Sequence, residues 1–177
     1  ETLTNKRKIF FDQTKNEFNN IIESLNLKNE KIFINDLDVQ YDQGWSDSQD
    51  LLSTLTLERD TDIRRKVTAR GPHKADIKIY IKNVDAKEIL SRGEQKLLAI
   101  IWLCSQHEVL RSTYGIKPTL LIDDVKSELD MDTFNIYISL LKLIENQVIF
   151  SNIEDQINSK IEAELINIKK FHVEQLS

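Results

Sequence analysis

The apolar run Leu120-Leu121-Ile122 ends in two adjacent carboxylates, Asp123 and Asp124, and Ser127-Glu128-Leu129-Asp130 follows a few residues later. A continuous apolar run of this kind predicts a strand over residues 119–122 that is buried on both faces. Carboxylates at its end stand at the C-terminal edge of a sheet, where open α/β folds bind their ligands. One of them can hold Mg²⁺, directly or through water, while its neighbour orients an attacking water. An acidic pair after a strand can also be a dipole partner for the next helix, with no chemistry. A second set, Leu90-Ser91-Arg92-Gly93-Glu94-Gln95-Lys96, stands where a long apolar helix begins. Serine and glycine at a helix start offer a hydroxyl and unpaired backbone N–H groups, a cradle for phosphate. The same residues also read as an ordinary cap, with Glu94 in the first turn.

Composition narrows the chemistry. The four glycines, at 44, 71, 93 and 115, leave no room for a G-x-x-x-x-G-K-S/T phosphate loop or a G-x-G-x-x-G fingerprint within the 177 residues. The single cysteine, Cys104, excludes a disulfide framework and a Cys-rich zinc site. The formal charge is −5, so any surface for nucleic acid has to be local. Runs such as residues 97–104 are far too short to span a bilayer, and the first twenty residues have no signal-peptide core, which predicts a cytoplasmic chain with no membrane partner. A start at Glu1, with Met131 as the sole methionine, suggests a cut or processed chain.

The elements that must position these residues follow from periodicity. Phe10, Phe11, Thr14, Phe18, Ile21, Ile22 and Leu25 have helix spacing and predict one amphipathic helix over residues 3–26. Lys6, Arg7 and Lys8 lie on its first half, either as a solvated face or as a basic edge for DNA phosphate. Residues 31–41 predict a strand closed by Gly44, and Ser46 or Asp47 can cap a helix to about residue 60 with Leu51, Leu52 and Leu55 inward. A basic segment with Arg64, Arg65 and Lys66 leads to the Gly71-Pro72 turn, and residues 76–82 predict a short strand. A buried helix over 93–112, a strand at 119–122, a helix at 132–145, a strand at 147–150, a helix at 155–162 and a strand at 165–171 complete the pass. The last third thus alternates strand and helix, which predicts an α/β fold with a partly parallel sheet.

Cys104 reads as an inert core thiol, His107 and His172 as surface or packing residues, and Trp45 and Trp102 as core anchors. The 64–66 run is usually a solvated loop, but it is the strongest local basic patch, with Arg70 and Lys74 nearby.

Taken together, the Ser91 set and the run into Asp123-Asp124 with Ser127 to Asp130 resemble the signature motif, Walker B strand and D-loop of ATP-binding-cassette (ABC) ATPases. Arg92, the segment Thr68-Ala69-Arg70-Gly71-Pro72-His73-Lys74-Ala75-Asp76 and Tyr41 with Gly44-Trp45 narrow the resemblance to the RecF family of bacterial replication and repair proteins, in the SMC branch, over about residues 31–152. The resemblance implies the C-terminal part of an ABC-type ATPase head over residues 31–177, preceded over residues 1–30 by the returning helix of an arm domain. It implies that Ser91, Arg92, Gly93 and Glu94 contact ATP held by a partner subunit, that Asp123 assists Mg²⁺, and that Asp124 is the catalytic carboxylate. Ser127 and Asp130 fall in the D-loop at a dimer interface. For Gly71-Pro72-His73 it supplies no role.

The function implied is ATP-dependent binding of double-stranded or gapped DNA, acting at gaps or single-strand to double-strand junctions to help load recombinase with RecR and RecO, by an ATP-dependent homodimer with weak DNA-dependent ATPase activity. ATP and Mg²⁺ would bind only together with an N-terminal Walker A half, so this chain alone is expected to be inactive. Ser151-Asn152 stands where the wider superfamily carries a switch histidine. Two other readings stay open: a noncatalytic DNA- or partner-binding module, and a metal-dependent phosphoryl hydrolase or nuclease using Asp123 and Asp124 with Glu128 and Asp130.

Overall fold

The computed structural model describes residues 2–27, 32–123, 130–144 and 147–151. The chain forms two compact units, Glu1–Ser91 and Arg92–Ser177.

The first unit opens with helix α1, Thr2–Ser24, which buries Phe11, Thr14, Phe18, Ile21 and Ile22 along one stripe, as their three-and-four spacing requires. The predicted strand begins late. Ile32–Asp36 forms a 3-10 turn and β1 covers Leu37–Asp42, because Asn35 and Asp36 are poor strand formers that interrupt the run. Strand β1 pairs antiparallel with β2, Asp76–Ile81, in a register running from Leu37↔Ile81 to Asp42↔Asp76. Lys82 and Asn83 take positive φ of 50° and 67° and turn β2 into the two-residue strand β3, Val84–Asp85. That hairpin and the short helix after it, α3 at Ala86–Ile89, capped by Asp85, are not evident from periodicity. Helix α1 lies on β1, where the Phe11 and Tyr41 rings are 5.7 Å apart and Lys15 Nζ donates to the Val39 carbonyl at 2.6 Å.

Helix α2 spans Leu51–Arg65, starting and ending later than the sequence suggests. Ser46 is engaged with Ser48, and Asp50 is the cap, its carboxylate accepting from Ser53 N at 2.9 Å. At the other end Arg64 and Arg65 suit the negative pole of the helix, and Lys66 closes it in a left-handed conformation. Leu52 is 74% exposed, against the expectation that it points inward, and Thr54 is the buried residue. Leu51 and Leu55 are half-buried.

The second unit begins with helix α4, Arg92–Tyr114, followed by β4, Leu120–Ile122, helix α5, Met131–Leu143, and β5, Val148–Phe150. Strands β4 and β5 are parallel, in register from Leu120↔Val148 to Ile122↔Phe150, as a strand-helix-strand order allows. Leu97, Leu98, Ile101 and Cys104 of α4, with Phe134, Tyr137, Leu140 and Leu141 of α5, are buried core. Strand β4 is not buried on both faces: Leu120 is enclosed, whereas Leu121 is 69% exposed, because alternate residues of a strand point to opposite sides and one side is uncovered. The helix and strand predicted at 155–162 and 165–171 lie outside the described residues, as does His172.

Candidate functional site

Asp123 is the first residue past β4, at the C-terminal edge of the parallel pair. Ser151 is the first residue past β5, and its backbone N–H extends the ladder by donating to the Ile122 carbonyl at 3.0 Å. The same residue's Oγ donates to Asp123 Oδ1 at 2.5 Å. Parallel pairing in this register brings two residues 28 positions apart together at one sheet edge. The carboxylate is exposed. An exposed carboxylate beside a hydroxyl is an all-oxygen donor set, which fits Mg²⁺, an ion that needs only one or two protein carboxylates alongside waters and phosphate oxygens. Asp124, Ser127 and Glu128 lie outside the described residues. Among the described residues no three of His, Cys, Asp and Glu gather in one place.

Asp130 is described, and its carboxylate has structural work: Oδ1 accepts from Thr133 N at 2.7 Å and caps α5. Ser91 is exposed and directly precedes α4, so the predicted helix start is correct to one residue. Arg92, Gly93 and Glu94 form the first turn of that helix, and Glu94 suits its positive end. The boundary between the two compact units falls between Ser91 and Arg92.

The basic residues of the first unit resolve into two kinds. Arg64 folds back on its own helix, its Nε donating to the Asp60 carbonyl at 3.3 Å, and with Arg65 and Lys66 it completes the C-terminal end of α2. The expected loop at 64–66 is therefore a helix terminus, whose negative pole suits these charges while all three side chains stay exposed. Lys6, Arg7 and Lys8 lie on exposed positions of α1, a helix with no acidic residue in its first turn. Arg7 Nη1 donates to the Pro72 carbonyl at 2.7 Å, tying α1 to the Gly71-Pro72-His73 turn.

That turn is built as a clasp. Gly71 N donates to the Gly44 carbonyl at 3.1 Å, and Lys74 N returns to the Gly71 carbonyl at 2.9 Å. Gly44 has φ +94°, and a Cβ on it would lie 2.3 Å from Gly71 O, so only glycine fits. His73 Nε2 lies 2.9 Å from the Thr68 carbonyl, and Asp62 Oδ1 accepts from Ala69 N at 3.0 Å. Asp42 accepts from Gly44 N at 2.8 Å and pairs with Lys78 at 2.6 Å. The Lys78 bond, then the Gly44 N–H and more distantly the Arg70 charge, hold the Asp42 carboxyl below its usual value. Sequence reasoning found the glycines here but missed the Arg7 and Asp62 anchors, whose partners are backbone groups remote in the chain.

The remaining singled-out residues are structural. Cys104 is buried, and burial pushes its thiol up to about 12. His107 is buried as well, with its imidazole shifted down by desolvation, and Trp45 and Trp102 are buried.

No family model matches the chain. It is 31% identical over 192 residues to the DNA replication and repair protein RecF of Pseudoalteromonas translucida, an alignment covering 97% of this chain and 53% of that protein. The same-named protein of Coxiella burnetii is 35% identical over 114 residues, 64% of this chain and 32% of its own length. Among solved structures, the recombination mediator protein RecF-ATP in the RecFOR pathway superposes with a TM-score of 0.60 at 27% identity, covering 85% of this chain and 41% of that one. Its RecF-ATPrS counterpart gives 0.59 at 30% identity, covering 84% and 40%. The chain spans about half the length of the first of these relatives.

Proposed function

We propose that this chain, which is similar to RecF proteins over about half their length, is the C-terminal, signature-bearing part of an ATP-dependent DNA repair and recombination protein. In this reading ATP is sandwiched between two subunits. Ser91 and Gly93, with Arg92 and Glu94, meet the γ-phosphate of a nucleotide held in the partner subunit, at the N-terminus of α4, whose positive end suits an anion. Asp123 would hold Mg²⁺, which when bound neutralises charge on the β- and γ-phosphate oxygens. Asp124, the next residue, is assigned as the carboxylate that orients the attacking water, and Ser127 and Asp130 as D-loop residues at the dimer interface. ATP binding closes the dimer and hydrolysis releases it.

The observation that carries this reading is the placement of Asp123 at the C-terminal end of a parallel strand, beside a polar residue from the neighbouring strand. The substrate is double-stranded or gapped DNA, with RecR and RecO as partners, in a cytoplasmic setting. No described helix is long and apolar enough to cross a membrane. In a protein that joins this sequence to a phosphate-loop lobe, Ser91→Arg should abolish ATP-dependent dimerisation and leave ATP binding by the monomer intact. Light scattering with and without ATP reads the first and nucleotide titration the second. A variant that dimerises like the parent would remove the signature assignment.

A further inference from the structure

The Gly71-Pro72-His73 turn, for which the family resemblance supplies no role, is a tightly constrained segment of the first unit. Four backbone N–H groups between residues 67 and 74 are fixed: Val67 on the Asp62 carbonyl, Ala69 on the Asp62 carboxylate, Gly71 on Gly44 and Lys74 on Gly71. The segment is also basic. Beyond the end of α2, residues 67–74 contain Arg70 and Lys74 and no acid, in a chain whose formal charge is −5; the nearest acid on the N-terminal side is Asp62. That acid is occupied by the Ala69 N–H, and Asp42, behind the clasp, is occupied by Lys78 and Gly44. Arg70, His73 and Lys74 are exposed. Arg7 reaches the same turn from α1, and Lys6 and Lys8, its neighbours in sequence, lie about 100° round the helix to either side of it. Only one of the guanidinium's five N–H donors is needed for the Pro72 carbonyl.

Arg7 is tied to the Pro72 carbonyl and the Arg70 charge acts on Asp42, so these cations are only partly engaged within the unit. Lys6, Arg7 and Lys8 lie in the first half of α1, after a first turn that holds no acid, and so do not complement a helix C-terminus as Arg64 and Arg65 do. We infer that Lys6, Arg7 and Lys8, with Arg70 and Lys74, form one contact surface for the phosphodiester backbone of duplex DNA, and that the Gly44–Gly71 clasp and the Arg7–Pro72 bond hold it in shape. The inference rests on the DNA-binding reading above and locates it. Charge complementarity supports that occupant: a cluster of exposed cations on an otherwise acidic chain attracts a linear polyanion. A rigid frame spares the ordering cost of binding. Contacts of this type fix position and carry no base specificity.

The test uses the 177-residue protein and a fluorescent duplex followed by anisotropy across a salt series. The parent should bind with an affinity that falls steeply with salt. Arg70→Glu/Lys74→Glu should weaken binding at least about tenfold at low salt and flatten the log–log salt slope by about two, close to 0.9 for each lost phosphate contact. Lys6→Gln/Lys8→Gln, which touches no part of the clasp, should give a similar flattening. Lys117→Glu, an exposed lysine of the other unit, should change neither quantity. Circular dichroism melts establish that each variant is folded, and the Lys6/Lys8 pair keeps the test decisive if the Arg70/Lys74 pair is not. A parent that binds while both double variants bind equally well overturns this surface and leaves the DNA reading standing. A parent with no salt-dependent binding overturns the DNA reading itself. Equal competition by polyglutamate overturns the assignment to a phosphodiester backbone.

Discussion

Ser151 Oγ donates to Asp123 Oδ1 at 2.5 Å, joining the residue that ends β5 to the carboxylate that ends β4. The bond fixes one oxygen of Asp123 and leaves the other directed to its own surroundings, so the carboxylate at the sheet edge has a preferred orientation. Ser151→Ala should reduce unfolding free energy by about 0.5–1 kcal/mol, the low end for a hydrogen bond, because water can replace the hydroxyl at an exposed site. Ser151→Thr should keep most of the difference. Urea titration followed by Trp102 fluorescence measures both, and an alanine variant as stable as the parent would show that the bond contributes nothing in solution.

Gly44→Ala should destabilise the protein by more than about 1 kcal/mol, since it combines a positive φ with a backbone clash that no side-chain movement relieves. Gly71→Ala should cost less. Its φ of +133° is also unfavourable, but the nearest atoms, at 3.2 Å, belong to the His73 ring, which can shift. Thermal melts of the two variants should keep that order, and the reverse order would mean that the clasp is looser than its geometry indicates.

The Asp42–Lys78 pair makes stability depend on acid. The folded carboxyl titrates below its unfolded value of 3.8, so the unfolded chain takes up the proton first as pH falls. The contribution is complete above about pH 4 and is lost as pH drops through the lowered folded value. Asp42→Asn should remove this part of the acid dependence while leaving that of other carboxylates. Chemical denaturation at a series of pH values from 6 down to about 2.5 would reveal it as a shallower slope.

Asp130→Ala should lower stability by about 1 kcal/mol through loss of the α5 cap, and Asp130→Ser should recover much of it. If nucleotide-dependent dimerisation of a longer protein were lost in the alanine variant but retained in the serine one, the cap and not the charge would be what the dimer needs. Denaturation midpoints combined with light scattering separate the two.

Cys104 should resist thiol reagents in the native protein, because burial both shields the sulfur and keeps it protonated, its titration moved up to about 12. Reaction with a disulfide reagent at pH 8 should follow global unfolding in urea. Fast labelling in the absence of denaturant would show that α4 opens locally.

Local pattern carried much of the architecture. The helix stripe of α1 and the strand-helix-strand order of the last third are periodicities of single segments, so spacing alone reveals them, whereas α4, expected to be buried almost all round, leaves Leu103 40% exposed. The Ser91 set and Asp123 were likewise legible, because a helix start and a strand end are local events. Boundaries set by competition were not. Asp50 rather than Ser46 or Asp47 caps α2, and residues 32–36 turn instead of extending, because side chains elsewhere take up the alternatives.

The amino-acid sequence by itself determined which residues are glycine, cation or carboxylate, and which segments could be helix or strand. Only the tertiary structure decided which of them meet. Ser151 reaches Asp123 because two strands far apart in the chain run parallel in one register, and Arg7 reaches Pro72 because α1 lies on β1. It also decided that Leu52 and Leu121 face outward. Pairing register and helix rotation are settled by the summed contacts of whole elements, and no short stretch of sequence contains that sum.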